Sequence, residues 1–279
     1  YQHPPCDFCV SYASAQLMRA GQNPYTTNLL TTAGQIGAAG GITSATDPPS
    51  YLLLLEPLTL LSPSAAFLIF NLLNAAALVG SLYLLLVSNS PLSWRWVLTL
   101  LPLAILFPPL DWHFDSAQNK LVLLLILVLA MRWLEQDREK LAGFAVGLAS
   151  LTRMFPALLL GYLLLRKRWP ALIVSITTVL AGSLATAAFL GTERCWGFTR
   201  GIQALASRKM LDLDGNASLI AIVSRLFWDS GHSAVSFEFV RIASVSVAWI
   251  VLLAVISFAA LGYLTDSTDS DSAVFSLWL

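Results

Sequence analysis

From residue 64 to residue 87 the chain carries no charged side chain. At a rise of about 1.5 Å per residue, a helix of that length covers the roughly 30 Å hydrocarbon layer of a bilayer. Residues 171–190 and 242–264 repeat the pattern. Composition extends the argument beyond these runs: 57% of the 279 residues are hydrophobic and 11% are charged, against roughly 25% charged in a soluble domain. The expected fold is all-α, a polytopic transmembrane helical bundle with lipid as the solvent for most of its surface.

Sixteen basic and sixteen acidic residues give a formal net charge of zero, so no global field points to nucleic acid or to an anionic partner. Three cysteines are too few for a disulfide framework. The chain opens at Tyr1 without a signal-like segment and stops inside the apolar stretch 273–279, which reads as a fragment of a longer protein. A single domain over 1–279 is expected: an outer loop at 1–50, membrane helices and loops at 51–264, and an inner loop with the start of another helix at 265–279.

Shorter apolar runs lie between the clear spans, at 96–110, 121–134 and 141–165, the last interrupted by Arg153 and Pro156. Short helices leave their joints below the membrane surface, where non-helical backbone is tolerated only against protein or a watery cavity. The polar joint 111–120 is therefore a candidate recessed site. Basic residues in short loops mark the cytoplasmic side. Arg166, Lys167 and Arg168, with Arg132, Arg138 and Lys140, place two loops there, so 141–165 has to enter and return on one side. Arg153 then sits at the apex of a re-entrant or broken helical pair. The alternative, one tilted span, puts Arg166 outside against the charge rule. With this orientation 1–50, 111–120 and 191–216 share the extracytoplasmic side.

Asp7, beside Phe8 and Tyr12, is placed to serve either as a general base for a hydroxyl or as the N-terminal cap of a helix over 8–20. Asp47 precedes the stiffening pair Pro48 and Pro49. Glu56 interrupts an apolar stretch, which makes it either a functional or paired residue, or an interfacial one. Asp115, Gln118 and Asn119 are the polar groups of the recessed joint. Arg153 has two readings, a snorkelling helix-end residue or a planar bidentate donor to a lipid phosphate. Arg200 and Lys209, in the loop 191–216, are candidates for an anionic donor or headgroup, or belong to an interfacial amphipathic helix. Cys6 and Cys9 have redox-motif spacing but no strand and helix around them. Ser230, Gly231 and His232 echo part of a membrane phosphatase signature whose companion motif is absent. No cluster has metal-ligand spacing, so neither a metal nor another cofactor is expected.

Taken in order, these segments resemble the polyprenyl-phosphate-sugar-dependent glycosyltransferases of family 87, of the GT-C membrane superfamily. The matching features are Asp7 and Phe8 with Tyr12; Gly21, Gln22, Asn23, Pro24 and Tyr25; Pro48 and Pro49; Glu56, Pro57 and Leu58; and Asn71 and Asn74 after Phe70. Gln118, Asn119 and Lys120 follow, then Ala142 and Gly143 with Gly147 and Leu148, Arg153 with Phe155 and Pro156, and Asn216 with Leu219. The resemblance implies a GT-C type bundle with short broken helices and an extracytoplasmic first loop. It also implies a hexosyltransferase of the plasma membrane that moves a sugar, mannose by analogy, from a polyprenyl-phosphate donor to a lipid or glycan acceptor. Asp7 matches the family's catalytic base, Arg153 stands where Lys is usual, and Tyr12, Asp47, Glu56, Asp115, Gln118, Asn119 and Asn216 become substrate-binding candidates. Asp47 departs from the usual aromatic residue before the Pro pair, and Ser116 and Ala117 depart from a Gly-led motif. A secondary transporter, which should show internal repeats, and a non-catalytic membrane assembly subunit are the alternatives.

Overall fold

A computed structural model describes residues 7–27, 29, 45–86 and 108–205, the side chains of 86, 108, 109 and 200–205 excepted. Residues 96–107 of the expected run 96–110, the expected segments 242–264 and 265–279, and Cys6, Lys209, Asn216 and Ser230 to His232 lie outside these residues. Every regular element among the described residues is helical: α1 (Asp7–Arg19), α2 (Pro49–Leu55), α3 (Pro63–Leu86), α4 (Pro108–Ser116), α5 (Lys120–Glu135), α6 (Glu139–Thr152), α7 (Leu159–Leu165), α8 (Trp169–Leu190) and α9 (Thr192–Leu205). Two 3₁₀ turns, Glu56–Leu60 and Phe155–Leu158, follow α2 and precede α7.

The two clear apolar runs become α3 and α8, both long and apolar enough to cross a membrane. Their outward side chains are apolar and exposed, Leu72, Leu184 and Phe189 among them, as expected of surfaces that lipid covers. The joint 111–120 differs from expectation, because most of it is helix. Consecutive prolines suit a first helical turn, where no N–H is needed, so α4 starts at Pro108 and runs to Ser116. Only residues 117–119 break the chain. There Ala117 takes a left-handed backbone (φ 46°), and the path turns by 114° into α5.

Helices α5, α6, α7 and α8 run back and forth. Tight turns with left-handed Asp137 and Lys167 close two of the connections, and Arg168 Nη1 reaches Asp137 at 3.2 Å and Glu139 at 3.0 Å. The start of α6 and the start of α8 therefore lie at one end, and the chain between them goes out along α6 and comes back through α7. Small residues draw α6 against α8, as close helix packing in lipid requires. A Cβ on Gly147 would lie 2.6 Å from the Thr178 Cβ, and one on Gly143 would collide with the Ala171 carbonyl. The Ser175 hydroxyl donates to the Gly143 carbonyl at 2.8 Å in the same seam.

At the other end, α1 packs across the starts of α2 and α3. Phe8 and Tyr12 form a buried aromatic cluster with Phe70, Tyr51 and Ala117, Phe8 and Phe70 having ring centroids 4.9 Å apart. The Asn71 amide donates to the Phe114 carbonyl at 3.0 Å, fastening α3 to α4. These contacts bring the first turn of α1, the entry to α2, the α4–α5 break and the end of α6 into one neighbourhood.

Candidate active site

Asp7 lies in the first turn of α1 and Ser11 one turn later, so both side chains leave the same face of the helix. Asp7 Oδ2 accepts a hydrogen bond from the Gln118 amide. The Ser11 hydroxyl donates to Asp47 Oδ2 and, at 3.1 Å, to the Asp7 carbonyl. Arg153 completes the figure: its Nη1 reaches Asp47 Oδ1 at 3.2 Å, and its Nε donates to Asn119 Oδ1 at 3.0 Å. Because Gln118 and Asn119 are neighbours, the contacts close a ring running Asp7, Gln118, Asn119, Arg153, Asp47, Ser11 and back along α1. Carboxylate and guanidinium thus share one polar assembly although 146 positions separate them in the sequence.

The backbone explains why Arg153 can reach it. As the C-terminal cap of α6 it is extended (φ −146°, ψ 147°), with Pro156 in the turn that follows. A cation is also favoured beside the carbonyl end of a helix. The guanidinium lies 5.9 Å from the centre of the Tyr51 ring, within the range of a cation–π attraction. Its side chain is 32% exposed. Of its five N–H donors, those on Nη2 meet no described residue.

Asp47 is buried. Burial pushes its pKa up; the Arg153 charge and the Ser11 hydrogen bond pull it back, while the Asp7 charge adds to the rise. Its backbone carbonyl accepts the Tyr25 hydroxyl at 2.8 Å. Asp47 is thus held from α1, from the turn after α1 and from the end of α6 at once.

The ring includes Asp7, Asp47, Gln118, Asn119 and Arg153 and leaves other candidates elsewhere. Tyr12 is packed in the aromatic cluster and gives its hydroxyl to the Leu61 carbonyl at 2.7 Å. Glu56 stands half-buried at the far end of α2, in the turn where Arg19 donates to the Thr59 carbonyl at 3.2 Å. Asp115 is exposed on α4. Arg200 falls in α9, its side chain outside the described set, as are Lys209 and Asn216 altogether. Ser11, Tyr25 and Tyr51 join the site without having been singled out for these roles; Ser11 had a signal in its spacing of four from Asp7. Cys9 is disulfide-bonded, whereas Cys195 is free. Among the described residues no three His, Cys, Asp or Glu side chains are grouped to hold a metal ion.

Next to the ring lies an open, mainly apolar cavity of about 540 Å³, lined by Pro48, Leu151, Met154, Thr186, Trp196 and others. Pro48 and Met154 adjoin Asp47 and Arg153 in sequence, so polar ring and apolar hollow are contiguous.

The sequence model of Glycosyltransferase family 87 matches residues 46–277. The chain belongs to glycosyltransferase family 87. As a family 87 member with helices apolar enough to cross a bilayer, it is a membrane glycosyltransferase, and its class of reaction needs a sugar donor and an acceptor. The family match includes Asp47, Gln118, Asn119 and Arg153 but begins after α1. Asp7 is joined to the matched part through Gln118. No curated protein and no solved structure matches the chain at a significant level.

Proposed function

We propose that this glycosyltransferase moves a hexose, mannose by analogy, from a polyprenyl-phosphate carrier to a lipid or glycan acceptor on the extracytoplasmic side of the plasma membrane. The observation that carries the reading is the ring, which brings the Asp7 carboxylate and the Arg153 guanidinium into one assembly. Asp7 takes the proton of the acceptor hydroxyl as its oxygen attacks the anomeric carbon. The bond from that carbon to the phosphate oxygen breaks, and its electron pair leaves with the phosphate. The Nη2 edge of Arg153, which meets no other described residue, faces the charge that develops there. Arg200 and Lys209 are further candidates for the same anion, and Asn216 for the sugar.

Sidedness is supported by two features. The ring is at the opposite end of α5 and α6 from Arg138, Lys140 and Arg168, and basic loops favour the cytoplasm. The disulfide at Cys9, two residues before Ser11 on α1, suits an oxidising compartment.

The experiment is transfer from a polyprenyl-phosphate hexose by the full-length protein in vesicles. Asp7→Asn should lower turnover by about a hundredfold or more, the usual contribution of a general base; near-normal turnover removes Asp7 from that role. Arg153→Gln should weaken donor binding more than Arg153→Lys does. Equal binding by the Gln variant and the native protein would refute the phosphate assignment.

A further inference from the structure

Asp47 is the charged member of the ring that direct displacement does not use. Its carboxylate is taken up on both oxygens, Oδ2 by the Ser11 hydroxyl and Oδ1 by Arg153 Nη1 at 3.2 Å, and only 7% of its side chain is exposed. A buried carboxylate in this state has little left to offer a sugar hydroxyl. What it changes is the charge at the place where phosphate binds. A guanidinium alone is a cation; one fixed beside a carboxylate is a neutral pair that still offers directional donors from Nη2.

That distinction matters for the proposed reaction, on which this inference rests. The donor is a phosphodiester and carries one negative charge. Cleavage of its sugar bond leaves a phosphomonoester whose second ionisation lies near pH 6, so at neutral pH it is mostly a dianion. A lone cation attracts the dianion more than the monoanion and holds on to the spent carrier. A fixed carboxylate beside that cation offsets its potential and repels the dianion more than the monoanion. We infer that Asp47 is a positioning and charge-balancing residue that aims Arg153 and lowers the affinity of the site for the spent lipid phosphate relative to the loaded donor.

The elements that hold Asp47 fit this role. Ser11 ties it to the helix that bears Asp7, Tyr25 anchors its backbone, and Pro48 follows it with extended backbone (φ −58°, ψ 143°). The carboxylate therefore cannot swing aside as phosphate arrives without giving up contacts to two elements.

The test uses the full chain in vesicles and compares the KM for the polyprenyl-phosphate hexose with the inhibition constant of the bare polyprenyl monophosphate. Asp47→Asn preserves shape and removes the charge. The expected result is an inhibition constant about tenfold lower relative to the donor KM, as one added charge interaction of modest size would give, with reduced turnover under multiple-cycle conditions. Asp47→Glu should keep the native ratio. An unchanged ratio in Asp47→Asn, or an equal change in the Glu variant, overturns the inference while leaving the transferase reading intact. Should Asp47→Asn not fold, the native protein decides through two inhibitors, polyprenyl monophosphate and its methyl diester. The diester is expected to bind at least as well, and a monoester bound about tenfold more tightly would overturn the proposal. Absence of any transfer by the native protein sinks both readings together.

Discussion

Two arginine–carboxylate groups occupy opposite ends of the same helices, and their surroundings give them different work. At the turn end, Arg168 meets Asp137, whose side chain is 83% exposed, and the less exposed Glu139. Water competes for such charges, and pairs of this kind contribute little, typically under about 1 kcal/mol. At the ring end, Arg153 meets a carboxylate that is 7% exposed, and the same carboxylate holds Ser11. Charges taken out of water need each other, so losing one partner costs far more than the pair contributes net. The first group helps close a turn; the second makes α1, α2 and α6 depend on one another.

The contrast can be broken by mutation. Arg153→Met should have the largest effect, lowering stability by about 3–5 kcal/mol because Asp47 is left buried without its partner. Thermal or denaturant unfolding in detergent reads this directly, and replacing Asp47 with Leu as well should restore much of the loss. Gly147→Val, in the seam that connects the two ends, should cost about 1–3 kcal/mol through overpacking against Thr178. Gln118→Leu removes the donor to Asp7; it should cost about 1–2 kcal/mol and reduce turnover more than it changes the donor KM. Arg168→Ala should be the mildest, within about 1 kcal/mol, and the difference should shrink further in high salt. If Arg168→Ala proved as damaging as Arg153→Met, burial would not be what separates the two groups.

Much of the helical framework was legible because lipid imposes a simple rule. A long uncharged run has few alternatives, and α3 and α8 begin within two residues of the expected starts. The path out and back through Arg153 was readable from the basic residues at 132–140 and 166–168. Helix α4 was less readable, since Asp111, His113 and Asp115 look like loop residues when the paired prolines before them are not given their weight as a helix start. Of the ring, Asp7, Gln118 and Arg153 could be named as candidates because few residue types offer a carboxylate, an amide or a planar cation at a recessed polar joint. Their linkage could not: the Ser11 to Asp47 contact spans 36 positions and depends on how α1 crosses α2. The packing of Tyr12 in the aromatic cluster was hard to read for a related reason. Its spacing from Asp7 suits the same helix face only loosely, and the apolar body of a tyrosine is as good a core residue as it is a ligand.

The hairpin of α6 and α7, packed through the glycines of α6 against α8, has a geometric consequence. Both of its feet stand at one end, and the 14 residues of α6 give it a reach of about 21 Å. That is short of a bilayer's hydrocarbon thickness of roughly 30 Å, so in such a bilayer its tip stops several ångströms beneath the opposite interface. A lipid headgroup would have to sink to meet it, and sheets of lipid differing in thickness would demand different depths of descent. The height of this pillar therefore fixes how deep its tip lies in a bilayer of given thickness.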